Sequence, residues 1–131
     1  MRRKLSGILL APAVQTLSYR CAIVFFLSIV IIGSLPGARE DIGKYASGLV
    51  LHSIAYAVLG ALLFVGSSGD RTERAVKAVL TIVVMGAGDE YVQSFVPYRM
   101  ASVADWMIDV IAGFITSVTS WYFWPRLAEA G

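Results

Sequence analysis

The sequence predicts an all-α membrane protein, a four-helix transmembrane bundle with both termini in the cytoplasm, and two observations lead to that class. First, the 131 residues are 57% hydrophobic and 15% charged, with a mean hydropathy of +0.71. Soluble domains carry about 25% charged residues, so this composition is typical of a protein embedded in lipid. Second, the hydrophobic residues are grouped in four segments, each close to the ~20 residues that a helix needs to cross the hydrocarbon core.

The first segment covers residues 17–35 and ends before Pro36, which disfavours continuation of a helix. Residues 5–19 lie at and before the start of this segment. Pro12 disfavours one unbroken helix there, and Arg20 interrupts the hydrophobic stretch. We therefore interpret this part as a helical or interfacial lead-in rather than as a cleaved signal peptide.

The other three segments are expected over residues 49–65, 75–96 and 103–124. Asp70 followed by Glu73 matches a capping box, the pattern in which two side chains satisfy the free N–H groups at a helix start. This pair is therefore predicted to begin the third helix. No linker or repeat divides the chain, which is expected to be a single domain throughout.

The distribution of Lys and Arg predicts the orientation in the membrane. Eight of these residues fall in the segments on the side of the chain termini, and three fall on the opposite side. The positive-inside rule therefore places both termini in the cytoplasm. In this topology the third helix runs outward and the fourth runs inward.

Asp89 and Glu90 form an acidic pair inside the third hydrophobic segment. Each carboxylate costs roughly 2.5–3.5 kcal/mol on insertion scales, so an intramembrane pair is a functional hypothesis by default. Further polar residues occur nearby or in neighbouring segments: Lys44, His52, Tyr56, Gln93, Arg99, Asp105 and Asp109. The predicted topology brings all of them to one depth, on the extracytoplasmic side.

Spacing by four residues predicts that several of these groups share helix faces. His52 and Tyr56 are followed by Gly60, and Asp105 and Asp109 are followed by Gly113. Asp89 and Gln93 have the same spacing. Glycines on these faces let helices approach closely, so the expected arrangement is a compact bundle around a polar pocket.

The residue types suggest two sets of roles in that pocket. Asp89, Glu90 and His52 are candidate acids or bases, and at least one carboxyl group, Glu90 first, is expected to be protonated at pH 7 because like charges are crowded. The candidate ligand contacts are Lys44, Tyr56, Gln93, Arg99, Asp105 and Asp109. Purely structural roles for these residues also stay open. Asp105 could cap its helix, and the other acids could form hydrogen bonds that hold the helices together.

Other functional classes receive little support. A single histidine without cysteine neighbours does not indicate a metal site, although a carboxylate-rich pocket suits a divalent ion; we predict no metal and no cofactor. No nucleophile motif or phosphate-binding glycine loop is present, so whether the protein is an enzyme stays open. A net charge of +2 does not indicate nucleic acid, and membrane lipid is the predicted partner.

In these residues the chain resembles the VanZ-like family of small membrane proteins. The matching motifs are His52 with Tyr56 and Gly60, the run Asp89-Glu90-Tyr91-Val92-Gln93, the turn Phe95-Val96-Pro97-Tyr98-Arg99, Asp105 to Asp109 to Gly113, and Lys44 upstream. They occupy about residues 44–114. Asp109 stands where the family pattern usually has Asn, and Tyr98 stands where Gly is common.

The resemblance implies a multi-pass protein of the bacterial inner membrane with a role in the cell envelope, and the family's namesake is associated with resistance to teicoplanin. Three hypotheses follow. The outward pocket engages a lipid-linked or cell-surface glycan or peptide; or the chain is a proton-coupled transport module, for which an oligomer stays open; or it is a structural membrane protein whose polar residues only join helices.

Overall fold

The computed structural model describes residues 2–43 and 47–124, and every regular element in these two ranges is a helix. The predicted all-α class is therefore confirmed. The helices are α1 (Arg2–Leu9), α2 (Pro12–Ser34), α3 (Ala38–Gly43), α4 (Gly48–Gly66), α5 (Arg71–Gln93) and α6 (Val103–Phe123).

Three of the helices, α2, α4 and α6, are long and apolar enough to cross a membrane, judged by length and composition. These three helices indicate a membrane protein. Helix α5 is as long as α2, with 23 residues, but it is not among them. It carries charged residues in its first turns and again near its end, so a fourth crossing stays a prediction.

The first span begins earlier than the sequence predicted, at Pro12 rather than at residue 17. Proline is well suited to the first turn of a helix, because its missing N–H has no intrahelical partner there. Arg20 does not interrupt the helix; its side chain lies exposed on the surface of α2. The short α1 precedes this break, with Leu5 and Ile8 exposed.

The predicted capping box at the start of α5 is confirmed. The Asp70 carboxylate accepts hydrogen bonds from the backbone N–H groups of Thr72 at 2.8 Å and Glu73 at 2.9 Å. In return the Glu73 carboxylate accepts from the backbone N–H of Asp70 at 3.0 Å. Ser47 caps α4 in a simpler way, through its hydroxyl and the N–H of Val50.

The packing is centred on α4 and α6, which form the most extensive helix pair. Helix α5 packs on α6 and α4, and α2 lies mainly against α4, whereas α1 and α3 contact α2. A buried apolar cluster fills the part of the bundle away from the acidic residues, and it includes Leu59, Leu63, Phe64, Ala78 and Ile82.

Arg74 closes that apolar end of the bundle. Its guanidinium donates to the carbonyl of Gly69 at 2.9 Å and to that of Val65, near the end of α4, at 3.0 Å. It also lies over the ring of Trp124, 4.9 Å from the centroid. One cation thus satisfies carbonyl groups that a helix end leaves without partners.

Glycines set the distances between the three central helices. A Cβ on Gly60 of α4 would lie 3.3 Å from the Cα of Gly113 of α6. A Cβ on Gly113 would lie only 2.8 Å from the side chain of Ile82 on α5. By contrast, a Cβ on Gly88 would meet no atom within 4 Å.

We expect Gly113→Ala to destabilise the protein by about 1–3 kcal/mol, because the added methyl group overlaps the buried Ile82. Gly88→Ala is the matched control, since it makes the same change in open space and improves helix propensity. Thermal unfolding in detergent measures both. Equal midpoints for the two variants would contradict the close packing of α5 on α6.

Candidate functional site

The polar residues of four different elements meet at one end of the helix bundle. Asp89 lies four residues before the end of α5, Asp109 lies six after the start of α6, and His52 lies four after the start of α4. With a rise of 1.5 Å per residue, all three lie within about 10 Å of the same end. The structure therefore places them at one level of the bundle.

His52 and Asp109 join α4 to α6. The distance between His52 Nδ1 and Asp109 Oδ1 is 2.8 Å, and the carboxyl group is fully buried while the imidazole is 14% exposed. A proton must lie between the two atoms, on Nδ1 when the carboxyl group is ionised. This is an interhelical hydrogen bond of the charge-assisted kind.

Asp89 is the centre of a second, longer chain of hydrogen bonds. Its two carboxyl oxygens accept from the hydroxyl of Tyr56 on α4 at 3.2 Å and from the amide of Gln93 at 2.9 Å. The oxygen of that amide accepts from Arg99 Nη2. Arg99 Nη1 donates to the carbonyl of Gly33 at the end of α2, at 2.7 Å. The chain thus connects α4, α5, the following loop and α2.

Glu90 fixes the start of α6 from outside that helix. Its Oε2 accepts from the backbone N–H of Ser102, the residue that caps α6, at 2.7 Å. In a capping box that N–H would bind the acid three residues later, which is Asp105. Ser102 does accept from the N–H of Asp105, at 3.2 Å, but Glu90 supplies the other half of the arrangement.

The three acids come close together between α5 and α6. Carboxyl oxygens of Asp89, Glu90 and Asp109, one from each residue, lie within 4.8 Å of one another, and all three residues are buried. Glu90 Oε1 and Asp109 Oδ2 are themselves buried and receive no hydrogen bond from residues 2–43 or 47–124. The group therefore retains unused acceptor capacity in the interior.

Two cavities flank this end of the bundle. The first, of about 240 Å³, lies between α2 and α4 and is mostly apolar, with Phe25, Ile29 and Ile32 on its α2 side. Its polar lining consists of Ser28, His52, Tyr56, Asp89, Gln93 and Arg99.

The second cavity, of about 680 Å³, lies beyond the ends of α2 and α5. It is more polar and is lined by Glu40, Arg99, Ser102 and Asp105, among others. Arg99 therefore borders both spaces.

The structure brings together most of the residues that the sequence singled out. His52, Tyr56, Asp89, Glu90, Gln93, Arg99 and Asp109 form the two hydrogen-bonded groups and the acid cluster. Asp105 lies apart from them, half-buried at the second cavity. Lys44 lies outside the described residues.

Sequence reasoning missed the backbone groups of the site. Two backbone groups of the site cannot be recognised from residue types. They are the carbonyl of Gly33, which accepts from Arg99, and the N–H of Ser102, which donates to Glu90. It also missed Trp106, whose indole N–H donates to the carbonyl of Val83 at 3.1 Å beside the acids.

The fold and site together define a class: a small all-helical membrane protein with a buried polar cluster at one end of its helices. Comparison with protein families identifies it further, since the VanZ/LLP1 family model matches residues 8–124. The chain belongs to this family. No curated protein and no solved structure matches it.

The bond from Tyr56 to Asp89 predicts a measurable contribution to stability. Tyr56→Phe removes one donor and leaves a buried carboxyl oxygen with one hydrogen bond fewer, so we expect a loss of about 1–3 kcal/mol. Tyr91→Phe makes the same change at a residue that is 67% exposed and should cost far less. Unfolding in mixed detergent measures both, and equal losses would contradict the contact.

Proposed function

We propose that this VanZ family protein is a multi-pass protein of the bacterial cytoplasmic membrane that binds an anionic, amphipathic component of the cell envelope. The polar end of the bundle faces outward and both termini are cytoplasmic, as the Lys and Arg distribution favours. Helix α5 crosses with α2, α4 and α6 as the fourth helix. The ligand is a lipid-linked or cell-surface glycan or peptide.

The position of Arg99 between the two cavities carries this proposal. The first cavity offers an apolar wall for a hydrocarbon chain, and the second offers polar groups for a head group. A molecule that occupies both must pass Arg99. A guanidinium has five N–H donors, and its planar fork matches phosphate or carboxylate groups. Gln93 and the carbonyl of Gly33 orient that fork towards the junction.

The neighbouring groups suit recognition of a polar head group. His52 and Tyr56 line the apolar cavity from α4, and Asp89 and Gln93 line it from α5. If the bound molecule also reacts, Asp89, Glu90 and His52 are the residues with acid or base chemistry. Lys44 and Asp105 are the further candidate contacts that the sequence offers.

Two other functions compete with binding. Proton-coupled transport is less favoured, because all three buried acids of the described residues lie at one end, and the core beyond them is filled by apolar side chains such as Leu63 and Ile82. A purely structural role draws support from the interhelical bonds of His52 and Tyr56. An activity assay that also measures protein abundance separates that role from binding.

We expect production of the protein in a glycopeptide-susceptible host to lower susceptibility to teicoplanin, and Arg99→Ala to abolish this protection at unchanged membrane abundance. The variant loses the one cationic side chain that, in the described part of the chain, borders both cavities. Arg99→Lys, which keeps the charge without the fork, should protect only partly. Glu90→Gln, in the same assay, tests whether protection requires the carboxyl group at this position.

Arg20→Ala is the matched control, because it removes an arginine that is exposed on α2 and belongs to neither cavity. It should protect as well as the parent chain. If Arg99→Ala protects equally well, the anion-binding role is wrong. If every variant that loses protection also loses abundance, the polar residues are structural only.

A further inference from the structure

Hydrogen bonds do not account for every oxygen of the acid cluster between α5 and α6. We propose that Asp89, Glu90 and Asp109 form a binding site for a divalent cation of the size of Ca²⁺. Asp89 also lines the first cavity, whereas Glu90 and Asp109 do not, so the cation site adjoins that cavity without requiring its proposed ligand. Its two supporting observations are the separation of the carboxyl oxygens and the presence of buried oxygens without donors.

The separation of the oxygens fits a hard cation. Ca²⁺ takes oxygen ligands at 2.3–2.6 Å, so two oxygens on opposite sides of the ion lie roughly 5 Å apart. One oxygen from each of the three acids lies within 4.8 Å of the others. Mg²⁺, with ligands at about 2.1 Å, would hold its oxygen ligands within about 4.2 Å of one another.

The unused oxygens point to the same conclusion. Asp109 is fully buried and Glu90 is 8% exposed, yet Asp109 Oδ2 and Glu90 Oε1 have no donor in the described part of the chain. A buried acceptor without a partner is costly, more so when it is charged. A cation between the two residues would satisfy both oxygens at once and would offset the repulsion among the three carboxyl groups.

The surrounding contacts hold the acids in place for this role. His52 holds Asp109, and Ser102 holds Glu90 through its backbone N–H. Tyr56 and Gln93 hold Asp89. Outer partners of this kind orient carboxylate ligands and raise metal affinity. The remaining ligand positions are available to water, because Ca²⁺ takes six to eight oxygens.

The second cavity provides access for a cation. It is lined by Ser102, whose N–H binds Glu90, so it reaches the immediate neighbourhood of the cluster. Two further acids, Glu40 and Asp105, line the same cavity. Their charge would raise the local concentration of cations at its mouth.

The test uses the full chain purified in detergent, with Ca²⁺ as the ligand and thermal unfolding as the readout. Ca²⁺ should raise the unfolding midpoint in a saturable manner, beyond NaCl of equal ionic strength. Glu90→Gln and Asp109→Asn should lose this shift, since each keeps an oxygen for its hydrogen bond to Ser102 or His52 but removes the charge. Asp41→Asn, at an exposed acid of α3 that lines neither cavity, is the matched control and should keep it.

A second measurement does not depend on any variant. Tb³⁺, which binds at Ca²⁺ sites, should show luminescence when the protein is excited through its aromatic residues, because Tyr56 is bonded to Asp89. Added Ca²⁺ should displace it, with one ion bound per chain. No Ca²⁺ shift and no displaceable luminescence in the parent chain would overturn the proposal, as would equal shifts in all variants, which would mean adventitious binding to acidic groups.

Neither readout involves teicoplanin or the cavity ligand. A failed cation test therefore leaves the binding proposal intact, and a lack of protection in cells leaves the cation site intact.

Discussion

The cost of burying carboxyl groups in an apolar helix bundle is the constraint on which the arrangement of this protein depends. Asp89 and Asp109 are fully buried, and each has one hydrogen-bond partner on α4. His52 and Tyr56, one turn apart on α4, reach one acid each. These bonds require α4, α5 and α6 to have one relative depth and rotation. The polar cluster therefore specifies the register of the bundle, which apolar packing alone specifies weakly.

In the opposite half of the bundle, close packing rather than polar contacts sets the positions of the helices. There the helices approach through glycine, as where Gly60 meets Gly113, and the space beyond is filled by apolar side chains. Gly113 lies one turn beyond Asp109, so the change from polar to close apolar packing occurs within a single turn of α6. Within the described residues, this boundary keeps the three buried acids at one end of the bundle, while Arg74 is buried at the other end. It favours a site that binds molecules from one side of the membrane over a pathway that crosses it.

The sequence predicted the helical class, the capping box at Asp70 and the family, because each rests on local patterns or on residue identities. Spacing by four also indicated correctly which faces turn inward: Tyr56 and Asp109 are buried. It could not predict that Glu90, rather than Asp105, completes the start of α6, since this depends on how two helices meet. The break expected at Pro12 is present, because α1 ends at Leu9, but the sequence placed the start of the span at residue 17, although proline also suits the first turn of a helix.

Asp109 connects the structural and the functional arguments. An Asn at this position could also bind His52 and would offer the interior a neutral group. With Asp, the bundle gains a third buried carboxyl group beside Asp89 and Glu90, together with an oxygen that lacks a donor. His52 pairs with one oxygen of this carboxyl group and leaves the other without a donor, although Asn, of nearly the same shape, would fill the same space. A bound cation would account for the oxygen that His52 does not reach, and the affinity of a site for a cation rises with the number of carboxylates around it.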